Sequence, residues 1–281
     1  MGCIDLHIHT TASDGTDSPA EVVTIARALG LEAVAITDHD SAAGVPEARR
    51  AGEELGVEVI PGIEVSSDYR DNNIHVLGYF LDPDAPALRR VLDWVRVERA
   101  ARNARMVAML AQDGFDITLE DLERTYPDAA LGRPHVAEYL MRKGYVASVA
   151  EGFDRYLEVG RKYFLPKRRI PLAQAVDTIR QSGGLAVLAH PLQYRYPENE
   201  VLELIEYARS VGVRAMECYY SEHSQEDERW LLRQAERYGL GVSGGSDYHG
   251  PRKPHIAMGR GMQNLAIPYR ILEELKKLPR S

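Results

Sequence analysis

Cysteine is scarce: Cys3 and Cys218 are the two thiols in 281 residues. Each lies in a strand-like run without a nearby partner, which excludes a disulfide framework and suits a reducing compartment with buried, unreactive thiols. Long apolar runs are also missing. No stretch approaches the roughly 20 residues needed to span a bilayer, and the N-terminus goes straight into a strand carrying a motif, so no targeting segment is expected. Positive charge is in deficit, 34 Lys and Arg against 42 Asp and Glu, for a net charge of −8 and a pI near 5.6. That balance excludes a protein that holds duplex nucleic acid by bulk electrostatics, because phosphate contacts need a basic surface. Any nucleotide must be gripped locally. There is no internal repeat or low-complexity tract, and no obligate protein partner is evident. These absences describe a cytoplasmic enzyme.

What is present is enough apolar material, 44% of the chain, for one large α/β core or two modest domains. Seven apolar runs of strand length are expected at Cys3–His9, Ala33–Thr37, Val57–Ile63, Ile74–Phe80, Leu185–Ala189, Arg214–Tyr219 and Leu240–Ser243. Helical periods separate them, at Ser18–Leu29, Val45–Leu55, Leu172–Ser182, Glu198–Val211, Gln225–Tyr238 and Tyr269–Leu278. In the first of these Ser18 caps, Pro19 fills the first turn and Glu21 completes a capping box. Nearly continuous apolar strands alternating with helices indicate a parallel sheet covered on its outer face, and the repeated order points to a barrel. Chemistry in such barrels collects at the strand C-terminal ends. The interval 84–167 breaks the alternation with helices at Val91–Gln112, Leu119–Thr125 and Arg133–Lys143. It is expected to be a helical insertion after the fourth strand, forming a cap over the barrel mouth. The domains are thus 1–83 with 168–281, and 84–167.

The nine histidines follow the strands. His7, His9, His39, His75, His190 and His249 lie in or just after strand runs, as do Glu64 and Asp247, and His223 follows a strand by a few residues. Only His135 and His255 fall outside, and His255 reads as a loop residue. Side chains two apart on a strand share a face, so His7 and His9 can reach one ion together, and Asp247-x-His249 offers an oxygen and a nitrogen in the same way. The simplest reading is a hydrolytic metalloenzyme. Read alone, Asp14 before Gly15 also suits a turn, and His75 also suits a core histidine.

Asp5-x-His7-x-His9, Ser13-Asp14-Gly15, Thr37-Asp38-His39-Asp40, Gly62-Ile63-Glu64, Ile74-His75, Ala189-His190-Pro191 and Ser246-Asp247-Tyr248-His249, in this order, resemble the PHP (polymerase and histidinol phosphatase) family. The resemblance implies a distorted seven-stranded (β/α) barrel. It also implies a trinuclear metal site on His7, His9, Asp14, His39, Glu64, His75, His190, Asp247 and His249. Within the family the similarity is strongest to members with a helical insertion that act on 3′,5′-nucleoside bisphosphates and short 5′-phosphorylated oligonucleotides. Arg133-Pro134-His135 resembles their phosphate-binding Arg-Thr-His, and Glu222-His223-Ser224 resembles their segment after the sixth strand. Gly160-Arg161-Lys162-Tyr163-Phe164-Leu165-Pro166 departs from their corresponding turn by Lys162 in place of Pro and a shifted aromatic register.

The implied chemistry is phosphoester hydrolysis. Imidazole and carboxylate suit Mn²⁺, Zn²⁺ or Fe, with two or three ions expected and Mn²⁺ foremost, while the lack of thiolate ligands removes softer options. Glu64 is expected to bridge two ions, with a hydroxide between them attacking phosphorus. Asp247 is expected to serve the same catalytic centre. Asp38 and Asp40 are expected to orient histidines from behind. Arg133, His135 and His223 are assigned to substrate binding, and His223 competes with a metal-bound water as proton donor to the leaving oxygen. Tyr163 and Phe164 are expected in the core of the cap rather than as a base-stacking platform. Two other functions compete: a histidinol-phosphate phosphatase or other small phosphomonoesterase, and a non-catalytic PHP module.

Overall fold

The computed structural model describes residues 2–127 and 131–280. Met1, residues 128–130 and Ser281, which fall within the expected domain ranges, lie outside the described residues. The chain divides into two compact units, one made of Met1–Val91 with Arg169–Ser281 and the other of Leu92–Arg168.

The strands are β1 Cys3–Ile8, β2 Leu31–Ile36, β3 Glu58–Tyr69, β4 Asn72–Tyr79, β5 Ile170–Pro171, β6 Leu185–Leu188, β7 Ala215–Tyr220, β8 Gly241–Gly245 and β9 Ile267–Pro268. The helices are α1 Pro19–Ala28, α2 Val45–Leu55, α3 Pro86–Gln112, α4 Leu119–Thr125, α5 Arg133–Arg142, α6 Val149–Gly152, α7 Leu172–Gln181, α8 Glu198–Ser210, α9 Gln225–Tyr238 and α10 Arg270–Lys277. All seven expected strands form, and two-residue β5 and β9 add to them. The sheet runs β8-β7-β6-β4-β3-β2-β1-β9. It nearly closes where β1 meets the segment after β8: Asp247 N–H donates to His7 O at 2.8 Å, and His9 N–H donates to Tyr248 O at 2.9 Å. Gly245 permits this approach, since a Cβ there would lie 2.3 Å from His7 Cβ.

The expected all-parallel sheet needs a correction at β4, which runs antiparallel to both β3 and β6. Arg70 and Asp71, at φ 52° and 63°, form the two-residue turn between Tyr69 and Asn72. Positive φ at both central positions matches the right-handed twist of the strands. The consequence for function is direct. Reversal puts the start of β4, not its end, beside the outer half of β3, where His75 pairs with Ser66.

Local sequence explains the elements. Ser18 Oγ accepts the Glu21 N–H while Glu21 Oε2 accepts the Ser18 N–H at 2.7 Å, the reciprocal cap expected for α1. Every residue of β1 from Ile4 to Ile8 is buried. Its alternation sends Asp5 and His7 to one face and Ile4, Leu6 and Ile8 to the other. Ile4 and Leu6 belong to an apolar cluster with Val187, Leu272 and Leu275, which fixes α10 against the strands.

The second unit has its own apolar cluster, including Met106, Leu110, Leu122, Val136, Leu140 and Leu157. Tyr163 is in it, 4% exposed, with its ring 5.9 Å from Phe115. α3 starts earlier than expected, at Pro86, and a π turn at Phe153–Leu157 follows α6. No helix among the described residues is long and apolar enough to cross a membrane.

Candidate metal centre

The strand order gathers at one end of the sheet residues that are distant in sequence. His7 lies in β1 and His9 just past it, His39 follows β2, Glu64 lies in β3 and His75 in β4, His190 follows β6, and Asp247 and His249 follow β8. Asp14 comes from the loop after β1. Four overlapping groups result: His9, Asp14, His39 and His249; His7, Glu64 and His190; His7, His9 and Asp247; His39, Glu64 and His75. Within each, one ligand atom per residue lies within 4.8 Å of the others. All nine residues named in the sequence reading are in these groups; His223, His135 and His255 are in none.

Glu64 is the hub. Its Oε2 lies 2.8 Å from His39 Nδ1, 3.2 Å from His9 Nε2 and 3.4 Å from His7 Nε2. Its Oε1 lies 2.8 Å from His75 Nδ1 and 3.1 Å from His190 Nε2. Asp247 Oδ1 lies 3.2 Å from His9 Nε2, and Asp14 Oδ1 lies 3.4 Å from His249 Nε2. His190 Nε2 is hydrogen-bonded to Glu64 Oε1, but most of the other atoms approach one another without forming a hydrogen bond. Nε2 of His7, both ring nitrogens of His9, Nδ1 of His39 and His75, and Oε2 of Glu64 are buried without a hydrogen-bond partner. Buried polar atoms are normally satisfied. So many orphaned lone pairs pointing at shared volumes fit a divalent cation set with nitrogen and oxygen ligands.

Electrostatics leads to the same view. Burial pulls the His7 imidazole down, yet Glu217 and Glu64 outweigh it and hold it well above its ordinary pKa. His9, against the same burial, is carried to about 9 by Asp247 and Glu64. Burial pushes the Glu64 and Asp247 carboxyls up, but neighbouring imidazoles, His39 and His75 for the first and His9 and His7 for the second, hold both well below the usual range. Asp14 is lowered in the same way, against burial, chiefly by His249, His39 and His9. Without metal the cluster needs protons between its carboxylates. Divalent ions would take the place of those protons.

Backbone strain marks the same end. His190 and Asp247 follow their strands at φ 24° and 58°, a region that costs a residue with a Cβ about 1–3 kcal/mol and is typical of functional sites.

Residues 5–181 match the PHP domain. The chain belongs to the PHP family. Among curated relatives, it is 34% identical to a 5′-3′ exoribonuclease of Haemophilus influenzae, over 88% of this chain and 90% of that one. It is 33% identical to a 3′,5′-nucleoside bisphosphate phosphatase of Chromobacterium violaceum, over 89% and 88%. It is also 34% identical to a phosphoribosyl 1,2-cyclic phosphate 1,2-diphosphodiesterase of Eggerthella lenta, over 90% and 97%. A solved structure of a candidate metal-dependent phosphoesterase from Bifidobacterium adolescentis superposes with a TM-score of 0.82 at 31% identity, covering 98% of this chain and 95% of that one. This PHP protein is a metal-dependent phosphoesterase.

The groups behind the PHP cluster differ from expectation. Asp38 does not orient a histidine. It accepts from Thr10 N–H at 2.7 Å, Thr10 Oγ1 at 2.8 Å and Ser13 Oγ at 2.6 Å, and so shapes the loop that carries Asp14. Asp40 accepts the Ser66 N–H at 2.9 Å. A residue that does orient a histidine is Glu217, fully buried. Its Oε1 takes the His7 Nδ1 hydrogen at 3.1 Å and its Oε2 takes the His190 N–H at 2.9 Å, leaving His7 Nε2 to face Glu64 and Asp247. Its signal in the sequence was a lone carboxylate inside an apolar strand run. Asp5 is a second buried carboxylate, pushed up by burial against hydrogen bonds from Ser246, Gly259 and His7. It locks β1 to the loops after β8.

His223 is 4% exposed. Its Nδ1 meets Cys218 O at 3.0 Å, its Nε2 is buried without a partner, and burial lowers its pKa. In the second unit, Arg133 Nη1 donates to Leu157 O at 3.1 Å, and its guanidinium lies 5.1 Å from the Phe164 ring centre. His135 Nδ1 accepts the Gly132 N–H at 3.2 Å. Both residues therefore have local structural contacts.

Proposed function

We propose that the protein hydrolyses the 3′-phosphate of 3′,5′-nucleoside bisphosphates, releasing nucleoside 5′-monophosphates, and trims short 5′-phosphorylated oligonucleotides stepwise. The observation that carries the reading is the convergence of buried, unpartnered ring nitrogens on Glu64. The substrate rests on the bisphosphate phosphatase and exoribonuclease among the relatives. His7, His9, Asp14, His39, Glu64, His75, His190, Asp247 and His249 would hold two or three ions, Mn²⁺ foremost, with Glu64 bridging because each of its oxygens faces a different set of imidazoles. Bound there, the ions supply Lewis acidity toward phosphoryl oxygens and lower the pKa of water.

The protein's own residues do the rest. Glu217 keeps the His7 Nε2 lone pair directed inward. Arg133 and His135 would hold the second phosphate, the handle that distinguishes a bisphosphate from a monophosphate. His223 would meet the leaving oxygen through Nε2. Its depressed pKa keeps it neutral at pH 7, so proton donation requires prior uptake of a proton there. The two free cysteines suit a reducing cytoplasm.

Steady-state kinetics on a small panel test the reading. Adenosine 3′,5′-bisphosphate should exceed 3′-AMP in kcat/KM by about tenfold or more, ~1.4 kcal/mol of transition-state binding. Equal values for the two, or faster turnover of histidinol phosphate, would move the enzyme to another phosphatase class. Faster turnover of a phosphoribosyl 1,2-cyclic phosphate would favour the activity named for the Eggerthella relative.

A further inference from the structure

The segment after His249 reads in sequence as a plain loop, yet two of its residues reach the cluster. Gly250–Arg252 makes a single 3₁₀ turn. From it Arg252 Nη1 donates to the Asp14 carbonyl at 2.6 Å, and Lys253 Nζ lies 2.7 Å from Asp247 Oδ2. The Tyr220 hydroxyl donates to that same oxygen at 2.8 Å. The other oxygen, Oδ1, faces His9 Nε2 at 3.2 Å, His249 Nδ1 at 3.4 Å and His7 Nε2 at 3.7 Å. The two oxygens of one carboxylate thus have separate surroundings: donors on one, imidazoles on the other.

We propose that Lys253, together with Tyr220, is a positioning residue that occupies Oδ2 so that Asp247 presents Oδ1 alone to an ion in the His7, His9 and Asp247 group. The inference rests on the metal-centre reading above. A carboxylate with both oxygens free can ligate through one oxygen or through two. Two donors on the far oxygen fix its rotation. Lys253 is free to do otherwise, since a third of its side chain is exposed (33%) and a lysine stem reaches water easily. It lies instead on the oxygen turned away from the imidazoles, where it restrains the ligand without entering the ion's place. Groups that hold a metal ligand from behind typically account for 10–100-fold in metal affinity.

The contrary role is a counter-ion that arriving metal displaces, and the two roles predict opposite signs. Chelator-stripped wild type, Lys253→Met, Lys253→Arg and Tyr220→Phe would be titrated with Mn²⁺ by calorimetry, with bound metal measured after dialysis and kcat and KM measured separately. Lys253→Met should bind one ion of the set about tenfold more weakly and retain fewer ions, with kcat falling more than KM rises. Lys253→Arg should recover most of the affinity, and Tyr220→Phe should show a smaller loss of the same kind. Mn²⁺ affinity in Lys253→Met equal to or tighter than wild type overturns the inference while the metal centre stands. Wild type that takes up no Mn²⁺ overturns both.

Discussion

The two units of this chain handle polarity in opposite ways. In the first, Asp5, His7, His9, Glu64, Glu217 and Asp247 are all buried, and His7, His9 and Glu64 carry polar atoms without a hydrogen-bond partner. In the second, the cluster around Met106, Leu110 and Leu140 is apolar. Its ion pairs, such as Arg142 with Glu138 and Arg155 with Glu151, are on the surface at helical spacing, where each contributes a few tenths of a kcal/mol. Apolar burial stabilises at about 25 cal/mol per Å², whereas buried charge costs free energy unless it is paired. The second unit is therefore organised for folding. The first carries at one end a concentration of groups that folding alone disfavours, and that expense marks the site of chemistry.

The sharpest way to break this contrast is to remove the hub. Glu64→Ala should lower kcat/KM by about a thousandfold or more, ~4 kcal/mol, and reduce bound metal, while far-ultraviolet circular dichroism stays unchanged. Retained activity would mean that the cluster is structural. The matching change in the second unit is Leu140→Ala, which leaves a cavity at a fully buried position. It should destabilise by about 2–5 kcal/mol in chemical denaturation with metal content equal to wild type. Loss of metal there would show that the two cores are not separable.

Glu217 tests whether the polar unit depends on orientation as well as on ligands. Glu217→Gln keeps the size but removes the charge that receives the His7 Nδ1 hydrogen. Metal affinity should fall about 10–100-fold, measured by competition with a chromophoric chelator. An unchanged affinity would reduce Glu217 to a packing residue.

The subtlest expected effect is on pH dependence without metal. The raised pKa values of His7 and His9 give stability that is fully present below the unfolded value of about 6.5 and is lost as pH rises, for His9 through about 9. The depressed Glu64 and Asp247 give stability present above the usual carboxylate range and lost as pH falls below it. Burial lowers the pKa values of His75, His223 and His249, and these work the other way, removing stability as pH falls below about 6.5. Stripped protein should thus melt highest near neutral pH and progressively lower as pH rises from about 7 to about 9. Mn²⁺-loaded protein should gain over the stripped form across that interval, because ligation needs neutral imidazoles. A flat profile in the stripped protein would contradict the pairing of charges described here.

Much of the polar unit is legible in sequence because its signals are local. A histidine two residues from another on an apolar strand, or an Asp-Gly turn after it, needs no long-range information. What escaped was either long-range or lacked its usual local signal. The reversal of β4 depends on a turn at Arg70-Asp71 that lacks the glycine usual for positive φ, so its apolar run reads like that of a parallel strand. The partner of His7 is 210 residues away at Glu217, whereas Asp38, adjacent to His39, was the obvious candidate and turned out to hold a loop. In the second unit, the ranges of α4 and α5 were legible in the sequence, whereas α6 and the π turn after it were not expected. The roles of Arg133 and His135 did not, because a basic residue at a helix start looks alike whether it caps, packs or binds.

The most direct test of the central claim is anomalous diffraction from crystals grown with Mn²⁺. The account predicts two or three peaks per chain, at about 2.0–2.3 Å from their ligand atoms, with Glu64 shared between two of them and His7, His9 and Asp247 around one. Crystals that diffract well and show no anomalous peak among these nine residues would contradict it.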